Sequence, residues 1–160
     1  MSNITLKQLH FSNMFSYGKA NAMRLDDSRI TQLTAPNGSG KSSIAMIIQE
    51  ILFNKNVKGI KKTDILNRWS KEKQWKGSIE FDVEGNDYGV SVNRSGATTK
   101  VQFIKNGVDI SDHKVLDTYK KIQEVIGLDF EVFSQLTYQS STDLLEFLKA
   151  TDANRKKFLI

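Results

Sequence analysis

The stretch Ala35-Pro36-Asn37-Gly38-Ser39-Gly40-Lys41-Ser42 decides the fold, and its neighbours say how. Before it, Ile30-Thr31-Gln32-Leu33-Thr34 alternates apolar and polar residues and reads as a strand. After it, Ser43-Ile44-Ala45-Met46-Ile47-Ile48-Gln49-Glu50-Ile51-Leu52 reads as a helix. A strand, a glycine-bearing loop closing on Gly-Lys-Ser and a helix form the context that a phosphate cradle requires. Gly38 and Gly40 let successive backbone N–H groups turn inward around phosphate oxygens. The helix that follows adds its unpaired N-terminal N–H groups and the positive end of its dipole.

In this phosphate-binding loop, or P-loop, Lys41 is predicted to reach the β- and γ-phosphates and the Ser42 hydroxyl to ligate Mg²⁺. Asn37, Gly38, Ser39, Gly40 and Ser43 complete the run expected around the nucleotide. The pattern's first glycine is here Ala35, the smallest substitute that carries a side chain. The plain alternative is a glycine-rich turn that caps a helix by chance, and the flanking strand and helix weigh against it.

The chain has 160 residues, about one domain, enough to bury a real core. With no cysteine it can form neither disulfides nor thiolate metal sites, which fits a reducing compartment. No apolar run approaches the ~18 residues a membrane span needs, and no signal region opens the chain. A soluble, cytoplasmic protein is expected.

Net charge is +5, and the excess is uneven. Between Lys55 and Lys76 lie Lys55, Lys58, Lys61, Lys62, Arg68, Lys71, Lys73 and Lys76, against Asp64 and Glu72. Trp69 and Trp75, the only tryptophans, share this stretch. Such a segment can neutralise nucleic-acid phosphates, with Lys55, Lys58, Lys61 and Lys62 as the DNA-contact candidates. The bland reading is a solvated connection whose tryptophans anchor it to the core.

Along the rest of the chain, residues 4–10 read as an opening strand, 13–18 as a turn and 20–25 as a second, weak strand. Residues 63–67 form a short helical candidate that Thr63 can cap. Strand candidates at 77–83, 87–94 and 98–106 are separated by turns short enough for antiparallel hairpins. Residues 112–126 carry a helical apolar stripe closed by Gly127, 129–134 a helical turn and 136–138 a short strand. A final helix, capped by Thr151-Asp152, runs to the terminus without an end signal of its own.

The turn Asn13-Met14-Phe15-Ser16-Tyr17, followed by Asn37-Gly38-Ser39-Gly40-Lys41-Ser42-Ser43, resembles the start of the SMC-like ABC ATPases. Lys61-Lys62-Thr63-Asp64-Ile65-Leu66-Asn67 resembles the segment after the P-loop helix in SbcC-type DNA-repair ATPases. Phe133-Ser134-Gln135-Leu136-Thr137-Tyr138-Gln139, with Leu144-Leu145-Glu146-Phe147-Leu148 and Asn154-Arg155-Lys156-Lys157, is similar to that family's Q-loop and its approach to a coiled coil. The resemblance implies an α/β fold, the N-terminal lobe of an ABC-type head with an antiparallel β subdomain. Its divisions would be residues 1–54 (strands, P-loop and first helix), 55–76 (basic connection), 77–127 (hairpins and helix) and 128–160 (Q-loop region and start of the coiled-coil helix).

On the same resemblance Gln139 is the Q-loop glutamine that senses Mg²⁺ and the γ-phosphate, with Gln135 as the competing position and Ser140 replacing the family's usual glycine. Ser16 would touch ribose or phosphate unless its turn is a plain hairpin, and Phe15 or Tyr17 is placed either to stack on adenine or to serve the core. The cofactors implied are ATP and Mg²⁺. The partners implied are the C-terminal lobe of the same head, a second head in a homodimer, an SbcD-type nuclease and double-stranded DNA. No signature Ser-Gly-Gly segment, Walker B strand or switch histidine is present, so this chain is expected to be half of a site and a poor ATPase alone.

Two rivals stand beside that reading. A self-contained P-loop kinase or switch-type NTPase would need an acidic Mg²⁺ partner, for which Asp82, Asp87 and Asp109 are the candidates. A non-catalytic module would hold ATP as a structural ligand.

Overall fold

The computed structural model describes residues 3–28, 30, 32–137 and 151. Period-two patterning near the N-terminus forms strand β1 (Ile4–Ser12), which pairs antiparallel with the short β2 (Asn21–Arg24) on one side. On its other side β1 pairs with β3 (Gln74–Val83). Strands β4 (Asn86–Ser95), β5 (Thr98–Lys105) and β6 (Val108–Asp109) continue the sheet by hairpins, giving the antiparallel order β2-β1-β3-β4-β5-β6.

Turn chemistry fixes these registers. Glu84 and Gly85 between β3 and β4 stand at φ 52° and 80°. Asn106 and Gly107, between β5 and β6, stand at 48° and 81°. Left-handed backbone at both central positions matches the right-handed twist of the flanking strands. β6 was not among the expected strands; two residues carry too little pattern to announce themselves.

Alternation separates the sheet's two faces. Leu9, Phe11, Trp75, Ile79, Phe81, Val90, Val92 and Phe103 are buried on one. Across the strands Phe81, Tyr88 and Phe103 stack in a ladder, with ring centroids 5.5 and 5.6 Å apart. The opposite face is polar: His10 pairs in register with Ser78, Ser78 with Ser91 and Ser91 with Gln102.

Two helices cover the apolar face. Helix α1 (Ser43–Phe53) packs on β3 and β4 through its buried Met46, Ile47, Ile51, Leu52 and Phe53. It ends at Asn54, whose left-handed φ of 53° lets its N–H return to Glu50 O. Helix α3 (Val115–Ile126) packs on β5 and α1 with Tyr119, Ile122 and Ile126 inward. Gly127 terminates it at φ 69°.

Gly77 on β3 is where α1 comes closest. A β-carbon there would stand 2.7 Å from Ile51 Cδ1. Between the two long helices lies α2 (Lys62–Ile65).

Three sequence expectations are corrected. Residues 30 and 32–34, read as the strand entering the P-loop, form no ladder among the described residues, and Ile30 and Leu33 are 88% and 45% exposed. A strand exists only when a neighbour takes its hydrogen bonds, and alternation alone does not supply one. Thr63 lies inside α2 and makes no cap; Lys61 holds the extended N-cap position. Leu136 and Thr137, read as strand, belong to a helix.

That helix, α4 (Phe130–Thr137), belongs to a second compact unit that begins at Leu128. Asp129 starts it, accepting the Val132 N–H on Oδ1 at 2.8 Å. Of the final helix expected at the C-terminus only Thr151 is described, and it is irregular and exposed. Among the described residues no helix is long and apolar enough to cross a membrane.

Candidate nucleotide-binding site

The loop 35–42 opens directly into α1. Ser43 N donates to Gly40 O at 2.9 Å, closing the first turn. Ser42 takes the N-cap position in right-handed helical geometry, and its side chain makes no capping bond, so its hydroxyl is not spent on the helix's own amides. Gly38 and Gly40 stand at φ 82° and 98°, where a side chain would be strained. The Lys41 ammonium arches back over its own loop, donating to Ala35 O at 2.5 Å and Pro36 O at 2.9 Å.

The early turn 13–18 buttresses this loop. Tyr17 donates its hydroxyl to Gly40 O at 3.1 Å, and Ser16 Oγ lies 3.5 Å from Ser39 O. A β-carbon on Gly40 would meet Ser16 Oγ at 2.2 Å and the Tyr17 ring at 3.2 Å. Tyr17 also sets its ring edge-on against Phe11, with centroids 5.0 Å apart. Phe15 stands at φ 52° and anchors the turn through its N–H to Ile65 O at 2.6 Å.

Glycines at left-handed φ, a lysine within reach of the loop and an unused hydroxyl at the helix start suit a phosphate chain with its metal. Among the described residues no cluster of three His, Asp or Glu side chains forms a metal site. Gln139 lies outside the described residues, whereas Gln135 is exposed on α4.

The aspartates that a self-contained kinase would need are committed elsewhere. Asp82 accepts the Gly85 N–H, Asp87 pairs with Lys7, and Asp109 accepts from Gln102 and Ser111. Asp82 pairs with Thr5, at the far end of β1 from the turn 13–18. At the rise of an extended strand, that is roughly 20 Å or more away.

Sequence reasoning missed a buried polar cluster behind α1. Glu50 is fully buried and accepts from Asn56 Nδ2 at 2.6 Å and from the Lys62 ammonium. Lys62 also donates to Asn54 O at 2.6 Å, and the Asn56 side chain bonds both ways with Ile60. Val57 N donates to Gln49 Oε1 at 3.1 Å. These bonds fold residues 54–62 back onto the P-loop helix. Burial pushes the Lys62 ammonium below its ordinary pKa, against the raising effect of its bond to Glu50. The signal was present in the polar pair Gln49-Glu50 inside an otherwise apolar helical run.

Of the four lysines read as DNA contacts, Lys62 is thus internally paired, while Lys55, Lys58 and Lys61 are exposed. The two tryptophans diverge as well. Trp75 is 2% exposed and anchors β3 as expected, but Trp69 is 92% exposed and anchors nothing.

A family model described as "AAA domain" matches residues 8–159. The chain is 46% identical over its whole length to the "Probable exonuclease subunit 2" of Escherichia phage T5, of which it spans 26%. It is 26% identical over 81% of its length to the "DNA double-strand break repair Rad50 ATPase" of Methanococcus maripaludis, spanning 13% of that protein. Its fold matches a solved structure from work on "ATP-driven dimerization and DNA stimulated activation of SMC ATPases", with a TM-score of 0.69, 18% identity and 96% of both chains covered. The chain therefore belongs to the AAA-domain family, with the fold of the N-terminal lobe of an SbcC/Rad50-like ATPase head.

Proposed function

We propose that this chain is the ATP-binding lobe of an ATPase subunit that works with an SbcD-type nuclease on broken double-stranded DNA. The observation that carries the proposal is the buttressed loop: Gly38 and Gly40 at left-handed φ, opening into α1 and braced by Ser16 and Tyr17. The names of the T5 and Rad50 relatives point the same way. The chain spans about a quarter of the T5 relative, so the remaining machinery would lie in the rest of such a protein.

In this reading Lys41 neutralises the β- and γ-phosphates and the N–H groups of 38–43 cradle them. Ser42 and Gln139 would hold Mg²⁺, which would supply positive charge against the phosphate chain. Asn37, Ser39, Ser43 and Ser16 line the nucleotide. The C-terminal lobe of the same head covers the exposed apolar side chains of Ile30 and Leu33, and gives residues 30 and 32–34 the ladder partner that they lack among the described residues. A second head, facing this loop, completes the ATP site. Lys55, Lys58 and Lys61 contact the DNA backbone, and the assembly works in the cytoplasm.

The test is to assay the chain alone and co-expressed with the C-terminal lobe of its parent. ATP turnover and DNA-stimulated nuclease activity are expected only from the pair, and Lys41→Ala should abolish both. Lys41-dependent turnover by the chain alone would contradict the proposal.

A further inference from the structure

Trp69 is held out into solvent by a turn that has little freedom. Asn67 is buried, and its N–H donates to Asn13 O at 2.9 Å. Its side-chain oxygen accepts the Trp69 N–H at 2.8 Å, and its carbonyl accepts Ser70 N at 3.1 Å. Leu66 bridges Met14 on one side of the turn. On the other, Asn13 Nδ2 donates to Glu72 Oε2 at 2.9 Å. The result is a fixed platform carrying an indole ring that is 92% exposed.

A tryptophan left in water forgoes the burial that makes the residue valuable, and both faces of this exposed ring are open to a stacking partner. The surrounding charge says which kind. Arg68, Lys71 and Lys73 are exposed and form no ion pair among the described residues. The one carboxylate beside them, Glu72, is neutralised by Lys19 at 2.6 Å. Protein interfaces are depleted in lysine around their aromatic anchors, whereas single-stranded nucleic-acid sites combine positive charge with an open aromatic face.

We infer that Trp69 is a stacking platform for an unpaired base of a nucleic-acid strand, whose phosphates lie against Arg68, Lys71 and Lys73. This deepens the proposed DNA role and rests on it. Inside a duplex both faces of each base are already stacked, so the site selects frayed ends or single strands.

Trp69 is its own reporter, because Trp75, the only other tryptophan, is buried. The chain is titrated with a single-stranded oligothymidylate about 12 nucleotides long, within the usual site size. A second strand of equal length has abasic residues throughout. Indole fluorescence reads stacking, and anisotropy of an end-labelled strand reads binding. The thymidylate strand should quench the indole and the abasic strand should bind without quenching. Trp69→Ala should weaken only the thymidylate strand, by roughly 5- to 150-fold, and Trp69→Phe should restore most of that affinity. Lys71→Ala with Lys73→Ala should weaken both strands alike.

A thymidylate strand that binds without quenching, or equal loss of both strands in Trp69→Ala, overturns the stacking site and leaves the DNA role standing. Failure of both strands and of a duplex to bind overturns the two together.

Discussion

Gly40 and Ser16 share one small volume: a β-carbon on the glycine would stand 2.2 Å from the serine hydroxyl oxygen. Twenty-four residues separate them in sequence, yet the early turn and the phosphate loop are built to touch. Gly40 also stands at φ 98°, which an L side chain resists whatever the space. Gly40→Ala should therefore cost about 1–3 kcal/mol in urea unfolding and weaken nucleotide binding. Adding Ser16→Gly should recover the contact part of that loss and leave the backbone strain. Full recovery would mean that φ carries no cost here.

The Glu50–Lys62 pair makes a second prediction. Lys62→Met leaves a fully buried carboxylate with Asn56 as its one remaining side-chain hydrogen-bond donor among the described residues. Breaking a buried pair from one side costs about 3 kcal/mol or more. Replacing both partners by Leu and Met should restore most of the stability. A double variant as unstable as the single one would show that the cluster matters for its shape and not for its charge.

Tyr119 provides the pH dependence. Its hydroxyl is buried, with no hydrogen-bond partner among the described residues. Burial, then the nearby Glu50 charge, raises its pKa above the usual 10, while Arg94 acts the other way. The folded chain thus holds this proton more tightly than the unfolded chain. The associated stability is complete below pH 10 and falls as pH rises above it. In Tyr119→Phe the alkaline fall should flatten relative to the parent chain. At neutral pH the variant should lose less than ~1 kcal/mol or gain stability, because an unpaired buried hydroxyl is removed. Identical alkaline slopes in the two proteins would contradict the assignment.

Gly77 carries the fourth. A β-carbon there would lie 2.7 Å from Ile51 Cδ1 and 2.8 Å from Cγ1, so Gly77→Ala overpacks the junction of β3 and α1. Thermal unfolding should register a loss of about 1–3 kcal/mol. Ile51→Val removes the Cδ1 contact alone and should restore part of it.

The sequence displayed most of what is local. The P-loop, α1, the antiparallel hairpins and the Gly127 stop each rest on short-range rules that act over a few residues. What it hid depends on neighbours distant in the chain. The alternation at 30–34 is real in the sequence, but a strand needs a ladder partner, and residues 30 and 32–34 have none among those described. Tyr17 was weighed as a stacking ring or a core ring; its hydroxyl bond to Gly40 O follows from how the turn meets the loop. The burial of Glu50 depends on Lys62 and Asn56, which arrive from the next segment. Trp69 and Trp75 share composition and neighbourhood, and only the register of β3 buries one and leaves the other out.

The central claim is that loop 37–43 holds the phosphates of a nucleotide. Backbone amide NMR during a titration with Mg²⁺ and a non-hydrolysable ATP analogue tests it residue by residue. Shifts should concentrate on the N–H groups of 38–43, with smaller changes at Ser16 and Tyr17, and Lys41→Ala should weaken binding at least tenfold. Shifts centred elsewhere, or an affinity indifferent to Lys41, would contradict the account.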